Sequence, residues 1–133
     1  MILGHGIDIV EVARMRRAIS RHDGAFITRV FSPDEIAGAA SLKEPAAYYA
    51  SRFAAKEAFA KALGTGFHGF GPKDVWVTGG RGAPPVLAFS KPLQSLIAAK
   101  GGGDFILSLT HEKKFAAASV IRSGKCRQPI PAP

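Results

Sequence analysis

Hydrophobic and polar positions follow different patterns in the two halves of the chain, and the first half predicts mostly helices. Residues 2–9 are short, mostly apolar and interrupted by glycine, which indicates a strand. Over residues 11–22 the apolar positions Val12, Met15 and Ile19 recur at intervals of three and four. This spacing places them on one face of a helix, so we expect an amphipathic helix directly after the strand.

Two more helices are predicted before the middle of the chain. Residues 32–35 read SPDE, a capping box with proline at the first helical position, and they start the second helix. The third helix is expected over residues 45–63, because this alanine-rich stretch has no internal proline or glycine. Gly64 follows it, and glycine is typical of the position just past a helix C-terminus.

The second half of the chain predicts strands with one short helix between them. The helix covers residues 91–100, and the expected strands are residues 75–78, 86–89, 105–110 and 115–121, the last two forming a hairpin. Helices come early and strands late, without strict alternation. This order predicts an α+β fold with a mostly antiparallel sheet.

Length and composition indicate one globular domain. The chain has 133 residues, of which 47% are hydrophobic, and we expect the domain to span residues 1–121. Residues 122–133 lose the apolar pattern and end in PIPAP, which predicts a disordered tail. No apolar run reaches the roughly 20 residues of a membrane span, and the N-terminus does not resemble a secretion signal. The single cysteine, Cys126, suits a reducing compartment, so the predicted location is the cytoplasm.

The charge balance predicts a polyanionic partner. Eighteen basic against ten acidic residues give a net charge of +8 and a pI near 10.1. Such a surface favours nucleic acid, an acidic protein or a phosphorylated ligand. Proteins that bind single-stranded nucleic acid combine a basic groove with stacking aromatic residues. With one Trp, two Tyr and no basic–aromatic interleaving on a strand, we expect no nucleic-acid partner.

A glycine motif in the middle of the chain suggests a dinucleotide site but has the wrong context. Residues 64–69 read GTGFHG, which matches G-x-G-x-x-G letter for letter. That motif requires a preceding strand and a following helix whose N-terminus holds the pyrophosphate. Here the glycines follow a predicted helix, and Gly71 and Pro72 come next. We therefore interpret the segment as a loop that ends the helix.

Charged side chains occur at two places where apolar or small residues dominate. Asp8 ends the apolar run of the first strand, so it is a helix cap or is paired, hydrogen-bonded or metal-bound. On the long helix, Glu57 and Lys61 share a face, as do Arg52 and Lys56. Glu57 and Lys61 are either an ordinary surface ion pair or, together with Arg52 and Lys56, part of a phosphate-binding surface that the small alanines leave accessible. Two carboxylates at a strand end and a helix face would suit magnesium.

Three motifs together resemble a known family. Residues 6–11 read GIDIVE, which is similar to the pattern G-[IL]-D-[IL]-x-E. Residues 53–61 read FAAKEAFAK, which is similar to [FW]-x-x-K-E-A-x-x-K. Residues 108–111 read SLTH, which is similar to S-[IL]-[ST]-H. Their order and spacing resemble the short 4′-phosphopantetheinyl transferases of the holo-[acyl-carrier-protein] synthase type, over residues 1–121. Residues 82–84 read GAP where the family commonly has GKP, so we assign no phosphate-binding lysine there.

The resemblance implies a fold, an activity and a metal. The fold would be the compact α+β fold of that family, commonly assembled as a homotrimer with active sites between subunits. The activity would be transfer of 4′-phosphopantetheine from coenzyme A to a serine of an acidic acyl carrier protein, with release of adenosine 3′,5′-bisphosphate. Asp8 and Glu57 match the magnesium ligands of the family, and Lys61 would support the departing nucleotide. Glu57 or a metal-bound water would take the serine proton.

The resemblance also implies contacts with the rest of coenzyme A. Arg52, Lys56 and His111 are candidates for binding its other phosphates. Taken alone, His111 is more often an ordinary polar turn residue, and only its match to the last position of the S-[IL]-[ST]-H motif favours a binding role. A metal-dependent phosphohydrolase, with water as the acceptor, would use the same carboxylates and cations and is the alternative activity.

The first predicted helix is a candidate for docking the carrier protein. Arg14, Arg17 and Arg21 are spaced three and four apart and form a basic stripe. Acyl carrier proteins are acidic, and the resemblance implies that this helix binds them. Without the resemblance, a solvated basic face is slightly favoured.

Overall fold

A computed structural model describes residues 1–21, 24–80 and 82–124, and its helices and strands follow the predicted order. In chain order the elements are β1 (Ile2–Glu11), α1 (Val12–Arg21), α2 (Ala25–Val30), α3 (Pro33–Ala39), α4 (Ala46–Leu63), a 3-10 turn (Pro72–Asp74), β2 (Val75–Thr78), β3 (Val86–Phe89), α5 (Lys91–Ala99), β4 (Asp104–His111) and β5 (Phe115–Ser123). No helix of the described ranges is long and apolar enough to cross a membrane.

The strands form two antiparallel sheets. The larger sheet has the order β1-β5-β4, and β2 pairs with β3 in a separate hairpin. In the larger sheet Asp8 and Leu109 both lie opposite Ala118 of the central strand, so β1 and β4 flank β5 in a fixed register. The predicted α+β fold with an antiparallel sheet is confirmed.

The long helix α4 packs across the larger sheet and forms the centre of the main core. Its small side chains Ala54, Ala55 and Ala58 are fully buried, together with Phe59. Val120 of β5 faces them from the sheet and is also fully buried. Because alanine is small and favours helices, α4 can lie close to the sheet without a kink.

Two glycines of β1 bring α4 even closer. A Cβ atom built on Gly6 would collide with the backbone carbonyl of Ala58, and one built on Gly4 would collide with that of Ala62. Backbone atoms cannot turn aside as a flexible side chain can, so only glycine fits at these two positions. We call this contact the glycine seam; it fixes the position of β1 along α4.

A second core lies between α4 and the shorter helices. Val12 and Met15 of α1 are buried there, as the helical spacing predicts, around the fully buried Phe31. Tyr49 of α4 packs on Phe31 with 4.6 Å between ring centroids. The apolar face of α1 is thereby confirmed, and its basic residues are left on the outside.

Two helix ends confirm the predictions from capping residues. Ser32 accepts a hydrogen bond from the Glu35 backbone N–H, and the Glu35 side chain accepts one from Ser32 N–H, which completes the capping box of α3. Gly64 ends α4 in the left-handed conformation, with φ of 86°. The segment that resembles a dinucleotide motif follows a helix and precedes a 3-10 turn, so it is a loop, as expected.

The structure differs from the predictions in two segments. Helix α2 was not predicted, because six residues are too few to show a helical period. Strand β5 continues to Ser123, which corrects the expected start of the tail at residue 122. Arg122 is buried and donates to the carbonyls of Lys100 and Gly102, so it belongs to the folded domain. Residues 125–133, including Cys126, lie outside the described residues.

Candidate active site

Asp8 lies on the face of β1 that packs against α4. Side chains alternate along the strand, so Gly4, Gly6 and Asp8 are directed toward the helix. After the two glycines of the seam, Asp8 is the first residue of this face that carries a side chain. Its side chain is 20% exposed, so its carboxylate is held beside α4 but can still be reached from solvent.

Lys61 of α4 contacts this part of β1. Its Nζ donates to the carbonyl oxygen of Ile7 at 2.9 Å and to Oδ1 of Asp8 at 3.4 Å. The sequence predicted that Lys61 and Glu57 share a helix face; the ion pair that the structure shows for Lys61 is with Asp8 of another element. An ammonium group has three protons, so Lys61 can donate one more hydrogen bond to a ligand.

Glu57 lies one helical turn before Lys61 and lines the same cavity as Asp8, with a volume of about 380 Å³. Burial raises the pKa of Glu57 above its ordinary value, the charge of Asp8 raises it further, and Lys61 partly counteracts both. Two carboxylates that repel each other in a partly buried cavity favour a cation between them.

The two carboxylates fit a magnesium ion better than a metal that needs a complete protein cage. Within the ranges that the structure describes, no group of three or more His, Cys, Asp or Glu side chains could hold a metal. Magnesium is commonly bound by one or two carboxylates, with water and substrate phosphate oxygens completing its six ligands. Asp8 and Glu57 therefore supply the donor set that this ion requires.

The same cavity also has apolar and basic lining residues. Met15, Phe26 and Phe53 line it, and so does the exposed Arg14. Phe26 comes from the unpredicted helix α2, whose short length explains why its contribution was missed. A cavity with acidic, apolar and basic parts can hold a polar reacting group beside a partner's apolar side chain.

Arg52 lies in a second cavity of about 650 Å³ on a neighbouring stripe of α4. Its guanidinium carbon is 3.9 Å from the ring centroid of Tyr48, and its Nη1 donates to Oγ of Ser51 at 3.0 Å. Its Nε is buried without a hydrogen-bond partner among the described residues. Gly79 and Gly80, which follow β2, also line this cavity, and a Cβ built on Gly80 would lie 3.7 Å from Nη2 of Arg52. A guanidinium group beside such a glycine backbone suits an anionic ligand.

The structure corrects the prediction that Lys56 binds a phosphate of coenzyme A. The side chain of Lys56 is only 1% exposed, and its Nζ donates to Oε1 of Glu35 at 2.7 Å. Two further hydrogen bonds go to the carbonyls of Pro72 and Val75, so all three protons are used. Burial lowers the pKa of Lys56, and the carboxylate of Glu35 counteracts this. Lys56 is a structural residue that joins α4 to α3 and β2.

The remaining predicted site residues lie apart from both cavities within one chain. His111 is exposed at the end of β4, opposite Ala116 of β5, and lines neither cavity. Arg17 and Arg21 are exposed on α1, along the same helix as Arg14. A role of His111 in binding coenzyme A stays a prediction, as does docking by the three arginines.

Sequence reasoning missed several residues of the second cavity. Tyr48 was not singled out, although an aromatic residue four positions before Arg52 is a recognisable signal for a stacked cation. Gly38 and Gly80 could not be found in this way, because their importance lies in contacts between distant elements.

Comparisons with known sequences point to one family. The model of the 4′-phosphopantetheinyl transferase superfamily matches residues 4–110. A holo-[acyl-carrier-protein] synthase of Treponema denticola is 48% identical over 126 residues, covering 93% of this chain and 100% of the relative. One of Desulforudis audaxviator is 43% identical over 124 residues, covering 93% and 95%.

Solved structures give the same result. The crystal structure of holo-[acyl-carrier-protein] synthase from Neisseria meningitidis is 32% identical, with a TM-score of 0.86, and covers 92% of this chain and 99% of its own. The Helicobacter pylori holo-[acyl-carrier-protein] synthase in complex with coenzyme A is 30% identical, with a TM-score of 0.78 and coverage of 90% and 99%.

Proposed function

Because this chain belongs to the 4′-phosphopantetheinyl transferase superfamily, with holo-[acyl-carrier-protein] synthases as its relatives, we propose that Asp8, Glu57 and Lys61 form its catalytic site. The chain transfers 4′-phosphopantetheine from coenzyme A to apo acyl carrier protein. The observation that carries the site assignment is that the carboxylates of Asp8 and Glu57, from β1 and α4, line one cavity, and that the ammonium group of Lys61 contacts Asp8.

Asp8 and Glu57 would hold a magnesium ion. Their mutual repulsion, which helps to raise the pKa of Glu57, is relieved when a divalent cation lies between them. When bound, the ion neutralises negative charge on the pyrophosphate oxygens of coenzyme A.

Transfer requires one bond to form and one to break at the same phosphorus atom. The serine oxygen of the carrier bonds to the phosphorus that carries pantetheine, and the bond from this phosphorus to the bridging oxygen of the pyrophosphate breaks. Adenosine 3′,5′-bisphosphate leaves with that oxygen. Lys61 stabilises the charge that develops on the leaving phosphate. Glu57 or a water molecule bound at the metal would accept the serine proton.

Arg52 would bind the 3′-phosphate of coenzyme A. This phosphate stands on the adenosine ribose, apart from the reacting pyrophosphate, so it requires a cation outside the catalytic site. Arg52 lies about 7 Å along α4 from Glu57, at a rise of ~1.5 Å per residue. Its cavity, of about 650 Å³, is large enough for a nucleotide, and the glycine backbone that lines it allows close approach.

The exposed face of α1 would bind the carrier protein. Arg14 lies at the rim of the catalytic cavity, and Arg17 and Arg21 continue the basic stripe away from it. A carrier docked there through acidic side chains would present its serine toward Asp8 and Glu57. The net charge of +8 supports an acidic partner.

The outer face of the larger sheet would form the contact of a homotrimer. Ile7, Ile9 and Ile106 lie on this face and are 62%, 66% and 58% exposed. A row of exposed isoleucines on one sheet face is typical of a protein–protein contact. Ile9→Lys should shift the sedimentation velocity from trimer toward monomer, whereas Val86→Lys, at an exposed residue of the other sheet, should not. A wild type that sediments as a monomer would contradict the trimer.

Location in the cytoplasm remains a prediction from composition.

The proposed site is tested by mass spectrometry of a carrier protein. Apo acyl carrier protein, coenzyme A and magnesium are incubated with the enzyme, and the carrier should gain the mass of phosphopantetheine. Asp8→Asn and Glu57→Gln should nearly abolish the gain while circular dichroism shows an unchanged fold. Full activity of either variant would overturn the assignment. Coenzyme A cleavage without carrier would indicate the hydrolase instead.

A further inference from the structure

We propose that Tyr48, seated in the space left by Gly38, is a positioning residue that holds the guanidinium group of Arg52 toward the second cavity. This proposal rests on the proposed function, in which Arg52 binds the 3′-phosphate of coenzyme A. Tyr48 acts through Arg52 and does not itself bind the phosphate.

The stack between the two side chains restricts Arg52. One turn of α4 separates them, and the guanidinium carbon lies 3.9 Å from the centre of the tyrosine ring. Stacking occupies one face of the guanidinium and leaves its edge, which carries the N–H donors, free for hydrogen bonds. Nη1 uses this edge to reach Oγ of Ser51, while Nη2 lies 3.7 Å from where a Cβ of Gly80 would stand. The edge thus faces the glycine wall of the cavity.

Asp34 is a possible competitor for Arg52, and the stack of Arg52 on Tyr48 keeps the two apart. It is the other charged side chain that lines this cavity, and its carboxylate would attract a freely moving arginine. In the described part of the chain Arg52 forms no ion pair with any carboxylate. Holding Arg52 against the ring of Tyr48 keeps its charge available to a ligand instead of Asp34.

The absence of a side chain at Gly38 leaves the space that the ring of Tyr48 occupies. Gly38 lies within α3, where glycine is unfavourable compared with alanine. A Cβ at this position would collide with the hydroxyl oxygen of Tyr48 and would lie 3.1 Å from its Cζ. The missing side chain therefore gives the tyrosine its room, and Gly38 belongs to the same positioning unit.

The test measures binding of adenosine 3′,5′-bisphosphate by isothermal titration calorimetry, with 5′-AMP as the ligand that lacks only the 3′-phosphate. Arg52→Ala should weaken binding of the bisphosphate and have little effect on 5′-AMP. Tyr48→Leu should weaken the bisphosphate about tenfold. Tyr48→Phe, which keeps the ring, should bind nearly as the wild type does. In the Arg52→Ala background, Tyr48→Leu should have no further effect, since it acts through Arg52.

The glycine provides an independent arm of the same test. Gly38→Ala should weaken bisphosphate binding, and combining it with Tyr48→Phe, which removes the colliding oxygen, should restore most of the affinity. Gly71→Ala is the matched control, because a Cβ there has only an ordinary contact, 3.9 Å from Asp74. Thermal melts show that each variant is folded.

The outcomes separate the two proposals. If Arg52→Ala weakens the bisphosphate but Tyr48→Leu does not, or if their effects simply add, the positioning role is wrong and the site stands. Loss of 5′-AMP binding to the same degree in Tyr48→Leu also overturns it, because general damage to the cavity would explain that result. If Arg52→Ala leaves bisphosphate binding unchanged, both the 3′-phosphate assignment and the positioning role fail.

Discussion

At the scale of single residues, the negative charge of Glu57 lowers the stability of the folded protein, although the proposed cation site needs that charge. Its pKa is raised above the ordinary 4.5, first by burial and then by Asp8. The folded chain therefore holds this proton more tightly than the unfolded chain, and stability falls as the pH rises from about 4.5 through the folded pKa. The cost is complete at neutral pH, where the carboxylate must be charged to hold a cation.

Glu57→Gln should therefore raise the melting temperature at neutral pH in the presence of a chelator. The difference from the wild type should vanish below about pH 4.5, where both side chains are uncharged. Magnesium should narrow the difference at neutral pH, because it compensates the repulsion in the wild type alone. Melting curves at several pH values measure this, and a variant less stable than the wild type at neutral pH would contradict the account.

Lys61 offers a second prediction at the residue scale. Its ammonium group joins β1 to α4 and contacts Asp8 of the proposed site, so Lys61→Ala should lower the transfer rate by about a hundredfold. Because the side chain is 55% exposed, its contacts should contribute little to stability, about half a kcal/mol. Turnover kinetics beside a thermal melt separate the two effects. A large loss of stability with a small loss of rate would make Lys61 a structural residue.

At the scale of elements, the ion pair of Lys56 and Glu35 holds three segments together. Glu35 caps α3 through Ser32 and also accepts a hydrogen bond from Val77 N–H of β2. Lys56 adds the carbonyls of the 3-10 turn and of β2. Removing one partner of a buried pair leaves the other charge unsatisfied, which commonly costs about 3–5 kcal/mol.

Lys56→Met should therefore destabilise the protein by about 3–5 kcal/mol in chemical unfolding. Arg16→Ala is the matched control, since Arg16 and Glu44 form an exposed ion pair at 3.8 Å, and it should cost less than about 1 kcal/mol. Equal, small losses in both variants would show that Lys56 contributes no more than a surface pair.

Most helices and strands could be predicted from local sequence signals, whereas contacts between residues distant in the chain could not. Periodicity and capping residues predicted α1, α3 and α4, because these signals are local. From the sequence, Lys56 resembled a solvent-exposed lysine on an alanine-rich helix. Its buried partner, the carboxylate of Glu35, is 21 positions earlier in the chain, so no local pattern indicates the pair. Asp8 and Glu57 were predicted as a pair through their family motifs; their meeting depends on the glycine seam, which only the packing of β1 on α4 reveals.

At the scale of the whole molecule, the proposed docking surface on α1 leads to a prediction about how the carrier approaches. Arg14 and Arg21 are exposed on α1, and long-range attraction to an acidic partner accelerates encounter. Reversing either to Glu should raise the KM for the carrier protein and leave that for coenzyme A nearly unchanged. Raising the salt concentration should weaken carrier binding in the wild type more than in the reversed variants.

Lys91→Glu is the matched control for these reversals. It makes the same change in net charge on α5, an exposed position in the other half of the fold. If Lys91→Glu raises the KM for the carrier as much as Arg14→Glu does, total charge governs binding and α1 is not a docking surface. If the reversals on α1 change the KM for coenzyme A alone, the helix belongs to the nucleotide site.

The glycine seam affects which metal ion would fit between Asp8 and Glu57 in the proposed site. Gly4 and Gly6 place β1 against the carbonyls of α4 with no side chain between them. Asp8 and Glu57 therefore start from a main-chain spacing that repacking of the core cannot widen. Magnesium requires short, nearly octahedral bonds, whereas calcium accepts longer ones in looser arrangements. In the proposed metal site, two carboxylates on a rigid backbone contact would favour the smaller ion, so discrimination against calcium would originate in two glycines that bind no ligand.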